Sequence, residues 1–372
     1  MKRIKEIELI DIINELPDIT QLNCKKDFSN QEYDLFFCAL GFEDRCLTIP
    51  ELLANAENFK CNKAYYFEYS TNREDNEINK PRLLETFKKF TNSWNSFQCD
   101  SDEFPKRLRD ALENEIKIKS KPKVIFDISV CSSKLLLLAM KIFLEFDICL
   151  KIVYSEAALY HPTVEEYKDN SQDWSTEEGF GIAKGVGLVT PSPEHPGARK
   201  ENPDLIISFL TFKPERTKAI IADIDDSLLK KPNKRLICII GDPHMDEPIK
   251  TERKKIMREI NKEIMELEGV ITFEISTFDY KETLKKLEQI YKEKYTDFHI
   301  NISALGSKMQ TLGVSLFYYL RPDVSIYFAL PEKYNPKQYS KGCKATWQID
   351  FDDTTKLKEL LNKVGKIEII NG

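Results

Sequence analysis

NISALGSK, residues 301–308, reads as the end of a buried strand, a short polar turn and the first residues of a helix. In a parallel α/β sheet that junction gathers strand carboxyl ends and helix N-termini, which is where ligands dock. The chain contains the junction twice. DISVCSSK, residues 127–134, has the same form, and the match runs on without a gap. Ile128 pairs with Ile302, Ser133 with Ser307, Lys134 with Lys308, Tyr160 with Tyr334 and Pro162 with Pro336. The offset is constant, since 302 − 128 and 336 − 162 both equal 174.

Working outward from each junction gives the same order of elements. In the first copy YDLFFCAL (33–40), KAYYFEYS (63–70), a short strand near Phe97, KVIFDIS (123–129) and CLKIVYS (149–155) are apolar runs of strand length. Such runs fit parallel strands covered on both faces. Helices are predicted to about Asn58, around 78–90 and from about 103 to 118. Leu135–Glu145 is so apolar that it must be buried. The second copy answers with PDLIISFL (203–210), RLICIIGD (235–242), a strand opening at Phe273, FHINIS (298–303) and VSIYFAL (324–330), with helices at 251–266 and 309–320.

Strands alternating with helices predict an α/β fold: two tandem Rossmann-like units with parallel sheets, a pseudo-two-fold internal duplication whose copies face each other. The layout is a short helix and polar loop at 1–32, unit one at 33–162, and a connector at 163–202 that can form a hairpin or edge strand. Unit two spans 203–336, and a closing strand and helix occupy 337–372.

The switch point of each sheet falls between the first and fourth strands. That sets GFEDR (41–45) beside DISVCSSK and TFKPER (211–216) beside NISALGSK. Arg45 or Arg216, with Ser133 and Lys134 or Ser307 and Lys308, then compose an anion site with the helix N-terminus. Arginine can grip phosphate in two-pronged fashion and lysine supplies a point charge. Gly306 would let a ligand approach the backbone, a freedom that its counterpart Ser132 lacks. The plainer reading makes the serines N-caps and leaves the lysines in water.

Tyr160 and Tyr334 follow the fifth strands, where each either stacks on a base or pins a Tyr-x-Pro turn. GDPHMDE (241–247) clusters Asp242, His244, Asp246 and Glu247, which are metal-ligand types, but reads more simply as a solvated acidic loop; no metal is assigned. Glu68 ends the second strand and either faces the pocket or bonds a ribose. Asp127 and Asn301 share one place, and that exchange argues against a common catalytic acid. His161, His195 and His299 make no triad spacing with a serine or cysteine.

Composition narrows the partners. A net charge of −6 speaks against bulk duplex nucleic acid. No apolar run has the length of a membrane span, and the opening MKRIKEIELIDII is too charged for a signal peptide. Nine scattered cysteines without a C-x-x-C pair suit a reduced, cytoplasmic protein.

At NISALGSKMQTLGVSLF (301–317) the sequence resembles the CRISPR-associated Rossmann-fold sensor domains, the CARF superfamily, whose fourth strand commonly ends in a Gly-Gly-Thr-Lys-like turn before a helix. One glycine of that turn is missing in the second copy and both in the first. The resemblance implies a pair of Rossmann-like units binding a nucleotide or cyclic oligonucleotide in the cleft between them, through the loops after the first and fourth strands, as a sensor in prokaryotic antiviral defence. It points to Arg45, Ser132, Ser133, Lys134, Arg216, Gly306, Ser307 and Lys308. No effector domain is legible, so a separate effector protein is the implied partner. The rival readings are an enzyme that cleaves a phosphodiester or nucleoside bond in the same cleft, and a module that docks a partner through charged helices such as 251–266. No cofactor is identified.

Overall fold

The structure is a computed structural model that describes residues 2–169, 183–184, 186–198, 201–243 and 248–371. Its strands run in chain order β1 (Lys2–Glu6), β2 (Thr20–Gln21), β3 (Glu32–Ala39), β4 (Lys60–Glu68), β5 (Trp94–Gln98), β6 (Lys123–Asp127) and β7 (Cys149–Tyr160). Then come β8 (Ala183–Lys184), β9 (Leu188–Pro191), β10 (Asp204–Phe209), β11 (Leu236–Asp242), β12 (Ile271–Ser276), β13 (His299–Ser303), β14 (Ser325–Leu330) and β15 (Lys333–Tyr334). The last are β16 (Ser340–Asp353) and β17 (Ile367–Asn371). Two compact units result, one from residues 1–159 with 340–372, the other from 160–339.

In the first unit the sheet order is β2-β16-β7-β6-β3-β4-β5. β3 is parallel to both β4 and β6, β4 to β5, and β6 to β7. In the second it is β12-β11-β10-β13-β14-β9, parallel throughout except for the antiparallel β9. Both units therefore place their own strands three, two, one, four and five side by side, the Rossmann-like α/β arrangement. The added edges differ. The second unit gains β9 from the connector. The first gains β16 from beyond the second unit, so the C-terminal segment returns to the first sheet.

Burial explains why these runs are strands. β3 is buried at every position from Tyr33 to Ala39, β10 from Leu205 to Phe209, and β13 along its whole length. A strand covered on both faces cannot alternate polar and apolar residues. The third strands, β5 and β12, lie at sheet edges and are correspondingly half-exposed. Aromatic rings fill one face of the first sheet: Phe37 stacks on Tyr65 at 5.2 Å, and Tyr65 on Phe97 at 4.9 Å. The helix Ser133–Glu145 buries every residue from Leu135 to Met140, as its all-apolar sequence requires.

The N-terminus departs from expectation. The predicted short helix is a strand, β1, antiparallel to β17 with Lys2 opposite Asn371, followed by one helical turn at Leu9–Ile12. In KRIKEIE the spacing of Ile4 and Ile7 suits a helix face, and pairing with a strand far along the chain overrides it. TNREDNE (71–77), polar throughout, carries a helical turn at Arg73–Glu77, entered through Asn72 at a φ of 55°. Among the described residues no helix is long and apolar enough to cross a membrane.

Candidate ligand site at the strand carboxyl ends

Register brings the expected loops together within each unit. Phe37 lies opposite Phe126, and Ser208 opposite Ser303, so the loops after strands one and four leave the sheet side by side.

The two arginines expected to grip phosphate are engaged by their own chain. Arg45 is 4% exposed. Its Nε and Nη2 donate to the Glu43 carboxylate at 3.2 and 2.6 Å, and its Nη1 to the Ser155 carbonyl at 2.7 Å. Arg216 donates from Nε and Nη2 to the Ala329 carbonyl at 2.9 and 2.6 Å. Ser155 and Ala329 are themselves related by the repeat, because 329 − 155 is 174. In both copies the arginine ties the segment after strand one to the end of strand five. Its planar fork suits that task, since it supplies several donors in one fixed plane.

The serines cap, but not at matched positions. Ser132 caps the helix Ser133–Glu145, accepting from the Leu135 N–H at 3.1 Å, while its own N–H donates to the Tyr69 hydroxyl at 2.8 Å. Ser133 is the first helical residue. In the second copy Ser307 caps the helix Lys308–Leu320. It accepts from the Gln310 N–H at 3.1 Å, and the Gln310 side chain accepts from the Ser307 N–H at 3.0 Å. This is a reciprocal capping box, and the Ser307 hydroxyl also donates to the Thr277 carbonyl at 2.5 Å. Gly306 serves that box. A Cβ there would lie 2.6 Å from Gln310 Oε1 and 3.0 Å from the Phe209 ring. Lys134 and Lys308 are half-buried in the first turns of these helices.

Tyr160 and Tyr334 do not share surroundings. Around Tyr160 stands Arg253, which sequence reading missed. Its guanidinium lies 4.5 Å from the Phe212 ring centre and 5.9 Å from that of Tyr160. It donates to the Tyr160 carbonyl at 2.9 Å and also to the carbonyls of Pro162 and His161. The His161–Pro162 peptide is cis. Burial brings the Arg253 pKa down to about 10. Tyr334 meets Tyr339 edge-on at 5.5 Å. A lone arginine in a charged helix carries no sequence signal of such a role.

Asp127 also shows its character only in the structure. It is 2% exposed, and burial pushes its carboxyl up to about 7 against the opposing pull of Ser129 and Arg45. Ser129 donates to it from both N–H and hydroxyl, and the Ser155 N–H donates to the Ser129 hydroxyl at 2.8 Å. The counterpart Asn301 donates to Asp204 at 2.8 Å.

The remaining candidates are dispersed. Glu68 pairs with Lys80 at 2.7 Å, and Asp242 with Lys254 at 2.6 Å. His161 meets Glu166, His195 meets Ser192, and His299 meets Ser325. His244, Asp246 and Glu247 lie outside the described residues, among which no group of three His, Cys, Asp or Glu is placed to hold a metal. Burial raises the Cys38 thiol far above its ordinary value and that of Cys46 to about 12, so neither offers a thiolate.

No protein-family model matches the sequence, and the search of curated proteins returns no relative. Among solved structures, the cytoplasmic domain of a prokaryotic cation chloride cotransporter is 10% identical, with a TM-score of 0.25 over 81% of this chain and 96% of that one. UDP-GlcNAc 2-epimerase from Neisseria meningitidis, bound to UDP-GlcNAc, is 13% identical with a TM-score of 0.21, covering 73% of this chain and 77% of its own. A universal stress protein from Archaeoglobus fulgidus DSM 4304 is 11% identical with a TM-score of 0.21, covering 80% and 96%. Overlaps this low say nothing about the site, and the fold assignment stands on the strand order itself.

Proposed function

We propose that this protein is a sensor that binds a nucleotide or short cyclic oligonucleotide at the carboxyl end of a parallel sheet and signals to a separate effector. One observation carries the reading. Strands one and four are neighbours in both units, β3 beside β6 and β10 beside β13, so two loops and a helix N-terminus converge at each switch point. The resemblance to CARF domains adds the expectation of a role in prokaryotic antiviral defence. Because Arg45 and Arg216 are committed internally, phosphate charge falls to lysines and backbone N–H groups.

A cleavage reading has one specific observation in its favour, the raised carboxyl of Asp127. That group is buried and accepts from Ser129 rather than being presented to a substrate. We therefore adopt binding without turnover.

The test is a thermal-shift series on the purified chain with AMP, ATP, cyclic di-AMP and cyclic tetra-adenylate, with and without magnesium. Ligand at a hundredfold its Kd adds about 2.7 kcal/mol of stability and raises the melting temperature. No shift with any of the four would overturn the reading. Conversion of a bound species, seen by chromatography, would favour the enzyme instead.

A further inference from the structure

The repeat keeps one accessible ion pair in both copies. Glu68 is the last residue of β4 and Asp242 the last of β11. Lys80, opening the helix Lys80–Phe87, meets Glu68 at 2.7 Å, and Lys254, in the helix Pro248–Ile260, meets Asp242 at 2.6 Å. Both members keep the offset, since 242 − 68 and 254 − 80 both equal 174. The two acids also hold one place in the sheet. The Glu68 carbonyl accepts from the Cys99 N–H at 2.9 Å and the Asp242 carbonyl from the Thr277 N–H at 2.7 Å, each donor being the first residue past the third strand.

The retention is selective. At the flanking positions Phe67 faces Gly241 in the repeat, Tyr69 faces Pro243, Asn79 faces Arg253 and Pro81 faces Lys255, so all four differ. The side chains of Glu68 and Lys80 are 23% and 31% exposed, and those of Asp242 and Lys254 are 50% and 22%. An ion pair so open to water adds little to stability, so folding does not account for the retention of both members.

The pair borders the switch point in each copy. Tyr69, next to Glu68, accepts from the Ser132 N–H at 2.8 Å and donates to the Val130 carbonyl, both in the loop after strand four. Asn79, next to Lys80, donates at 2.9 Å to the carbonyl of Gly41 in the loop after strand one. In the second unit the Thr277 carbonyl accepts from the Ser307 hydroxyl, and Arg253, next to Lys254, lies 4.5 Å from the ring centre of Phe212 in the loop after strand one. Bonding capacity is left over on both members. Lys80 donates to Glu68 Oε1, and Lys254 to Asp242 Oδ1 and Glu274, so of three N–H groups Lys80 keeps two and Lys254 one. Among the described residues nothing donates to Glu68 Oε2 or Asp242 Oδ2.

We infer that Glu68 with Lys80, and Asp242 with Lys254, are matched ribose-phosphate subsites at the two switch points. This rests on the nucleotide reading and names the residues that hold the ligand. The remaining carboxylate oxygen only accepts, which suits a ribose hydroxyl, and the remaining ammonium N–H groups suit a phosphate oxygen. The internal pairing holds each group in place while no ligand is bound.

Isothermal titration of the full chain with AMP, cyclic tetra-adenylate and the 2′-deoxy counterpart of each tests this. A ribonucleotide should bind more tightly than its deoxy counterpart. Glu68→Gln with Asp242→Asn should weaken the ribonucleotide about tenfold and bring the two affinities together, the scale of a hydrogen bond to a charged group. Lys80→Gln with Lys254→Gln should weaken both by a similar factor and leave their ratio unchanged. Melting temperatures of the free proteins should stay near that of the parent. Glu51→Gln, which opens the exposed pair with Arg82 that the repeat does not keep, should hold affinity within twofold. A ribonucleotide that binds either double variant within twofold of the parent, or no better than its deoxy counterpart binds the parent, would overturn this inference and leave the nucleotide reading standing. Failure of all four probes to bind would overturn both.

Discussion

Arg45 donates to the Ser155 carbonyl at 2.7 Å, the same tie that Arg216 makes to the Ala329 carbonyl at 2.6 Å. The duplicated arginine thus has a structural reason to stand in both copies. The two are not energetically alike. Arg45 also neutralises the buried carboxylate of Glu43, whereas the Arg216 side chain bonds, among the described residues, to the Ala329 carbonyl.

Arg45→Met should therefore destabilise the protein by about 3–5 kcal/mol, since it strands a buried charge. Arg216→Met should cost about 1.5–3 kcal/mol, the scale of a lost charge-assisted bond. Urea unfolding of the two variants checks the order, and equal losses would contradict it.

The raised carboxyl of Asp127 makes stability fall as pH rises. The folded state holds this proton up to about pH 7, whereas the unfolded chain releases it near 4. Between those values the folded state binds more protons, so stability declines across that window. Asp127→Asn, the exchange already present at Asn301, should abolish the decline. It should stabilise the protein at pH 8 by up to about 4 kcal/mol and not at pH 4. Melting temperatures of both proteins across that range decide it.

Gly306→Ala forces a methyl into space held by Gln310 and Phe209, at an expected cost of about 1–3 kcal/mol. Gln310→Ala should relieve part of that cost. The double variant is then more stable than the sum of the singles predicts, which a double-mutant cycle in denaturant would show.

Arg253 serves three carbonyls of one turn from a half-buried position, so Arg253→Lys loses geometry while keeping charge. Both Arg253→Lys and Arg253→Met should destabilise by about 2–4 kcal/mol, because buried carbonyls are left unmade. Hydrogen exchange at the residues just after Pro162 should accelerate in both. Unaltered exchange would mean the turn holds itself.

By itself the sequence determined the duplication and the α/β class. Strand-length apolar runs, and an offset of 174 held from Ile128 to Pro162, survive any arrangement of the chain, because burial on both sheet faces writes itself into consecutive residues. The Ser307 N-cap was legible because it is a contact between residues three apart, whereas in the first copy the cap is Ser132 and not the matched Ser133. Tertiary structure alone decided what each side chain does with its polar atoms. Whether Arg45 meets phosphate or Glu43 and Ser155 depends on partners that only folding brings near. The strand fate of Lys2–Glu6 followed the same logic. Its residues permit helix or strand, and pairing with Ile367–Asn371 supplied the hydrogen bonds that local periodicity could not.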